Sequence, residues 1–403
     1  MSKQRWPQRL LFVPILLMSV VMAWQLSSAE AATSSERSAA GLCDAFPRFV
    51  DEEAGLADAL TCFNTISDPG RYEVMLTTSI SLTADLPVLR NANAGVALAM
   101  DGSGFTLDGQ DSVRSGLAIS PTTRITLTNI TLINGNAETG GAIVNEGQLT
   151  VMSSTIANNV AFGDGGGIAD DGRLRVIGST LNGNSTTGFG GGIASGGDVV
   201  IINSTISGNS ADEGGGIVSA GTLSVTHSTI NANSAILSGG GIFMTSVFTG
   251  ELSLESTIIA NSVGGDCVLS SDSRLVYNAF NFIESSRQAC GILPGGGTTV
   301  GGVALLEPLA DNFGPTQTHA LQDNSPAIDS ANPNCMADFD QRGIGRPQGE
   351  RCDIGAVERL TTPLAVGLGQ MSAESGYRWG ILTTLLLACG LTGFVVRASR
   401  RER

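Results

Sequence analysis

Between residues 125 and 262 apolar and polar positions alternate in short bursts that return every 24 to 25 residues. The bursts open Ile125-Thr-Leu-Thr, Leu149-Thr-Val-Met, Leu174-Arg-Val-Ile, Val199-Val-Ile-Ile, Leu223-Ser-Val-Thr and Leu252-Ser-Leu-Glu. A Ser-Thr-Ile/Leu-x-x-Asn element follows at 154–159, 179–184, 204–209, 228–233 and 256–261, and a glycine cluster closes most copies, at 140–143, 165–168, 190–193, 214–217 and 239–242. Period-two runs of about four residues bounded by Gly, Asn or Asp are strands and turns, and no run in the repeat has helical spacing. Self-similarity at this period marks a solenoid.

One copy per turn gives an all-β, right-handed parallel β-helix, a three-sided solenoid whose coils stack at about 4.8 Å. Leu149, Val151, Ile156, Ile168 and their counterparts then point inward, while Thr150, Ser153 and Asp170 face water. Asn159, Asn184, Asn209, Asn233 and Asn261 stack as an amide ladder. Glycine recurs where a corner needs positive φ or backbones come close. Leucine-rich repeats share the period, but their signature and helices are missing. Upstream, Tyr72-Glu-Val-Met-Leu, Val96-Ala-Leu-Ala-Met, Phe105-Thr-Leu-Asp and Leu117-Ala-Ile read as less regular opening coils. Leu56, Leu60 and Phe63 have the spacing of an amphipathic helix over 51–64, suited to capping the first coil's unpaired edge.

The termini add two apolar segments. Lys3, Arg5 and Arg9 precede an apolar stretch from Leu10 to Trp24 and a small-residue end with an A-x-A pattern, which predicts a secretory signal peptide over 1–32. Residues 379–396 carry no charge and would make about 27 Å of helix, enough to cross a bilayer. Arg397, Arg400, Arg401 and Arg403 follow, with Tyr377 and Trp379 at the start, so the tail is expected in the cytoplasm and the body outside. A sorting tail removed during processing has the same order of parts, but no LPxTG-type motif precedes the span.

The 403 residues include 53 glycines and 15% charged residues, with a formal net charge of -15. That charge argues against nucleic acid, anionic lipid and acidic polysaccharide as partners. Lys3 is the only lysine, so lysine nucleophiles are absent from the mature chain. Trp6, Trp24 and Trp379 all sit in or beside the terminal segments, leaving little for an aromatic sugar platform. Cys389 lies in the span; the other six cysteines fall into the local pairs Cys43 and Cys62, Cys267 and Cys290, Cys335 and Cys352, expected as disulfides in an oxidising compartment. Six cysteines permit fifteen connectivities. Zinc is a poor rival, since there is no C-x-x-C and His227 and His319 are the only histidines.

Downstream of the repeat lie Leu306 to Leu321 (LEPLADNFGPTQTHAL), Ser325-Pro-Ala-Ile-Asp329, Asp340-Gln-Arg-Gly343, Arg346-Pro347 and Cys352-Asp-Ile-Gly-Ala356 with Glu358. This order resembles the closing pattern of exported bacterial β-helix proteins with a choice-of-anchor Q domain, over roughly 43 to 358. Phe313 departs from it, standing where a second glycine is usual. The GGAI element at 140–143 is similar to chlamydial polymorphic outer-membrane repeats, without their C-terminal barrel. The resemblance implies a fold, a surface location and an anchoring strategy, and supplies no catalytic residues.

Asp329, Asp340, Arg342, Arg346, Asp353 and Glu358 combine paired carboxylates with arginines, the material of an acid, a base and a substrate clamp. The plainer reading is structural: Asp340, Arg342, Gly343, Arg346, Asp353, Gly355 and Glu358 as a closing motif whose arginine forks close the last coil. Asp164, Asp170, Asp171, Asp198, Asp212 and Glu213 lie beside the glycine clusters, either a calcium edge or solvated turns; no EF-hand or G-G-x-G-x-D register supports calcium. His227 reads as a surface residue, His319 as packing or capping, and Phe162 and Phe189 as corner covers. Between 125 and 262 ten carboxylates face two basic residues, Arg173 and Arg175, which argues against a polyuronate lyase.

The expected organisation is a signal peptide (1–32), an N-terminal segment with a capping helix (33–70), the β-helix (71–302), a closing segment (303–358), a linker (359–378), a transmembrane helix (379–396) and a basic tail (397–403). No cofactor or metal is expected. The function expected is an envelope-anchored scaffold binding a glycan or surface protein; the alternative is a carbohydrate-active enzyme on the same fold.

Overall fold

The structure, a computed structural model, describes residues 43, 46–111, 116–245, 250–285 and 289–360. The expected signal peptide, transmembrane helix and tail, nearly all of the linker, and most of the insertion at 245–250 lie outside these residues. Among the described residues no helix is long and apolar enough to cross a membrane.

Each regular coil runs through four short strands, as in Ile143–Asn145, Gln148–Met152, Thr155–Ala157 and Val160–Ala161, before Ile168–Asp170 begins the next. Every strand pairs in parallel with its equivalent one coil away: Leu149 with Leu174, Ile156 with Leu181, Ile143 with Ile168. Stacking builds a first sheet of seven strands through 143–145, a second of ten through 148–152, a third of ten through 155–157, and a fourth of five through 160–161. The chain is thus an all-β parallel solenoid. Its three principal sides are joined by a narrow fourth, two residues long at Asn136–Ala137, Val160–Ala161 and Ser185–Thr186 and longer at Ser210–Glu213 and Ser234–Ser238.

Inside, Leu149, Leu174, Val199, Leu223 and Leu252 form one buried column, and Val151, Val176, Ile201, Val225 and Leu254 another. Each such side chain contributes about 1.5–3 kcal/mol on leaving water. Gly165, at φ +71, turns the corner into the first sheet, where an L side chain would be strained and its Cβ would meet the Ile168 carbonyl.

The solenoid begins before residue 71, since Arg48–Val50 pairs in parallel with Gly70–Leu76. Between them the helix Glu53–Phe63 buries Leu56, Ala59, Leu60, Cys62 and Phe63, most of them in the same core as Val74 and Leu76. Disulfides join Cys43 to Cys62, Cys267 to Cys290 and Cys335 to Cys352, with Cα separations of 5.0, 4.9 and 5.8 Å.

Asparagine side chains run up the core edge. Asn159 Nδ2 donates to Asn184 Oδ1 (2.9 Å), Asn184 to Asn209 (3.0 Å) and Asn209 to Asn233 (2.9 Å), and all four are buried. Asn261 does not continue the ladder. The long coil after Thr229 pairs Thr229 with Ile258 and Asn231 with Ala260, so Asn261 falls beside Ala232, one place early. There it takes φ +56, as Asn158 and Ala232 take positive φ, and donates to Asn231 Oδ1 (2.8 Å). Thr257 shows the same slip: its hydroxyl bonds the Glu255 carbonyl as Ser228 bonds that of Thr226.

Asp170 is another correction, buried at 2% exposure rather than facing water. It lies in register with Asn145 and Ser195 on the first sheet; Asn145 Nδ2 and Ser195 Oγ (2.8 Å) donate to its carboxylate. Phe162 and Phe189 are 66% and 45% exposed.

Asn209→Ala should cost about 3 kcal/mol, because it strips the bonds to Asn184, Leu181 and Asn233 inside the core. Asn261→Gly should change stability by less than about 1 kcal/mol, since glycine suits its positive φ. Urea unfolding of both variants checks the contrast; equal losses would contradict the shifted register.

Candidate functional site

The corner between the first and second sheets forms a long open groove of about 680 Å³. Its floor is backbone, at Gly147, Gly172, Gly197 and Gly221 in successive coils. A Cβ at Gly172 would strike the Gly147 carbonyl, one at Gly197 the Gly172 carbonyl, and one at Gly221 the Gly197 carbonyl, so a flat floor requires glycine at every level. The residue after each glycine starts a strand of the second sheet and rises as the wall: Gln148, Arg173, Asp198 and Thr222, with Glu251 one coil further. These five stand in register. Thr122 and Glu146 complete the lining at the first coils. Arg173 Nε lies 3.8 Å from Asp198 Oδ2 and Arg274 pairs with Glu251, all four in water.

Sequence reading missed this site, although a signal was present: Gly-polar-Leu/Val recurs at 147–149, 172–174, 197–199, 221–223 and 250–252. It was absorbed into the strand pattern, whose inward residues carry the stronger periodicity.

The closing segment is elsewhere, and it does not close the last coil. Ala289, Cys290 and Ile292 complete the core beside the final strands, tied to Cys267. Residues 304–358 instead lie along the outer face of the third sheet. Gln341 Nε2 donates to Thr180 Oγ1 (2.9 Å) and Thr316 Oγ1 (2.8 Å), while Thr205 donates to Gln341 Oε1 (2.7 Å). Ala356 N–H bonds Thr229 Oγ1 (3.0 Å), and Gly355, at φ +102, bonds the Ser256 carbonyl (2.9 Å). His319 Nδ1–H donates to the Glu307 carbonyl (2.7 Å), which leaves Nε2 to accept from Ser207 (2.9 Å) and Asn231 (3.2 Å). Burial lowers its pKa and keeps it neutral.

The candidate acid–base residues converge in this segment, but both oxygens of Asp340, Asp353 and Glu358 are occupied. Arg346 Nη1 meets Glu358 Oε1 at 2.5 Å with both side chains fully buried, and Arg342 meets Asp340 at 2.7 Å. Asp340 also accepts the N–H groups of Arg342, Ile344 and Glu358. Glu358 accepts those of Asp353 and Gln348. Gly343, at φ +83, makes the Asp340 turn. Asp353 accepts from Asp329 and Arg359 N–H, and burial, with Glu358 and Asp329 nearby, pushes its pKa up to about 6. Asp329 accepts from Arg351 N–H (3.0 Å).

His227 lies inside this contact rather than at the surface, 0% exposed, because the closing segment covers its corner. Neighbouring Asn203 of the same column bonds Phe339 and Arg346 there. Burial first, then the Arg346 charge, drives the His227 pKa down to about 3. The acidic residues beside the glycine clusters do not gather: Asp170 is interior, Asp164 bonds Phe189 N–H (3.0 Å) and Asp198 faces Arg173. Among the described residues no group of three or more His, Cys, Asp or Glu is placed to hold a metal.

No family model matches the chain, and no curated protein matches it. The likeness of 306–358 to choice-of-anchor Q proteins therefore rests on its motif residues alone. One solved structure, the crystal structure of pectate lyase Pel9A, is similar at 13% identity and a TM-score of 0.36, covering 74% of this chain and 90% of that one. At that level it adds nothing to what the strand register shows.

Because His227 is held neutral, its contribution to stability is present above the unfolded value of 6.5 and is lost as pH falls towards about 3. Asn takes the same positive-φ corner at 203, so His227→Asn keeps the backbone. Wild type should lose stability relative to this variant between pH 6.5 and 3 in urea midpoints; parallel curves would refute the buried neutral ring.

Proposed function

We propose that the protein is a displayed, non-catalytic scaffold that binds a glycan along the groove between its first and second sheets. The observation that carries this reading is the groove itself: an open, backbone-floored channel whose wall offers a fresh polar side chain at each coil. Amide, hydroxyl, carboxylate and guanidinium groups there can donate to and accept from sugar hydroxyls without any reacting group. The arginine–carboxylate cluster supports the same reading, since its oxygens are spent on backbone and guanidinium donors within the closing segment.

Three disulfides suit an oxidising, extracytoplasmic setting. We place the body outside the cytoplasmic membrane, exported by residues 1–32 and tethered through 379–396, with the helix Glu53–Phe63 shielding the first coil's edge. The hydropathy and the arginines after the span support the tether. Deleting 379–403 should shift the protein from the membrane to the soluble fraction; membrane retention would remove the tether from this account.

A glycan screen tests the groove. Ala at both Arg173 and Asp198 should weaken the best ligand at least about tenfold with an unchanged melting temperature, because these side chains are exposed. Asp340→Ala should cost about 3–5 kcal/mol, the loss expected when one partner of a buried pair is removed, yet leave binding intact below its melting point. Turnover of a polysaccharide, abolished by Asp340→Ala or Asp353→Ala at unchanged stability, would replace the scaffold by an enzyme.

A further inference from the structure

We propose that the groove takes an uncharged, extended pyranose polymer lying parallel to the solenoid axis, about one sugar to each coil. This rests on the groove being the glycan site, and two features of the wall name the class.

The first is spacing. Gln148, Arg173, Asp198, Thr222 and Glu251 are direct neighbours in a parallel ladder, so the wall repeats every ~4.8 Å. An extended, equatorially linked hexose chain advances by close to that step per ring with alternate rings turned over, so each sugar stands opposite one coil and a new wall residue, and the same ring face returns at every second coil. An extended peptide presents same-face side chains only every ~6.8 Å and drifts out of register within two coils. An axially linked, helical glucan curves away from a straight channel.

The second is charge. The lining holds the carboxylates of Glu146, Asp198 and Glu251 against one guanidinium, Arg173, which already lies beside Asp198. Arg274, at the end of the column, is taken by Glu251. Arg124, exposed and in register with Gln148 at the first coil, forms no ion pair among the described residues, so a polyuronate would bring one more negative charge per sugar into this field with a free cation only at that end. A neutral sugar instead meets planar carboxylates and an amide suited to bridging adjacent hydroxyls. The wall carries no aromatic ring, so the hold on each sugar is slight and affinity has to accumulate along the chain.

Calorimetry on the purified full chain, with β-1,4-linked glucose oligomers of increasing length, reads both features. Affinity should climb with each added sugar and level off near six, the number of coils that line the groove. Oligogalacturonate of equal length, α-1,4-linked glucose oligomers and a neutral Ser/Thr-rich peptide should each bind at least about tenfold more weakly. Equal or tighter binding by either of the two oligosaccharides, or no dependence on length, overturns the neutral, coil-matched polymer while leaving a glycan groove in place; equal or tighter binding by the peptide overturns the glycan groove as well. Unaltered binding by an Asp198→Ala, Thr222→Ala double variant that melts normally overturns the groove itself.

Discussion

Everything in this protein depends on parallel, in-register stacking of one coil upon the next. Each backbone N–H and C=O of a strand is satisfied by the equivalent strand a coil away, so a residue's environment is largely its own counterpart above and below. Whatever is inside must tolerate repetition. Aliphatic side chains do so by packing, and asparagine does so because one amide both donates and accepts, passing a bond from Asn159 to Asn233. Glycine does so by having no Cβ for the next carbonyl to strike. A lone buried carboxylate does not, and Asp170 is held only because Asn145 on one side and Ser195 on the other both donate to it.

The same rule explains how the closing segment attaches. A parallel sheet with small polar residues on its outer face exposes hydroxyls and amides at regular intervals, and Thr180, Thr205, Ser207, Thr229 and Asn231 form such a field. Burying it without partners would cost more than leaving it in water. The segment supplies partners one by one: Gln341 for two threonines, His319 for Ser207 and Asn231, and the backbone of Ala356 for Thr229. Arg346 and Glu358, buried beneath it, lock the strap's own turns together. Buried polar groups here specify one docking position, since a shift of a single coil would leave several of them unpaired.

Much of the fold was legible because the columns that make it are periodic. The inward aliphatics, the asparagines and the glycines repeat in the chain, and pairing local cysteines matched the bonded set. Legibility failed wherever one copy departed from its neighbours or met a non-repetitive partner. Asn261 matches the motif letter for letter, yet the longer coil before it displaces the register by one, which spacing within the motif does not reveal. His227 occupies a corner that is only half-buried at Ser153, Gly178 and Asn203 in the preceding coils, and its burial comes from residues more than a hundred positions away. The apolar triplet Ile258-Ile259-Ala260, buried on both faces, was the trace of that covering strap. In the groove, Gly-polar-Leu was visible, but its meaning required knowing that those polar residues line up on one corner.

Groove and strap divide the protein's polar chemistry in a way that bears on function. In the strap, the carboxylates of Asp340, Asp353 and Glu358 are buried and each of their oxygens accepts a hydrogen bond, so their free energy is committed to holding one arrangement. In the groove, side chains stand in water on a rigid backbone floor, with their hydrogen-bonding capacity met by solvent that a ligand can replace at little cost. A rigid periodic wall gains affinity by adding equal small contacts rather than by one deep anchor, and it loses the same small amount for each coil removed. Recognition of that kind selects the spacing and charge of a polymer more strongly than the identity of any one unit, which suits a surface that meets an extended, repetitive partner.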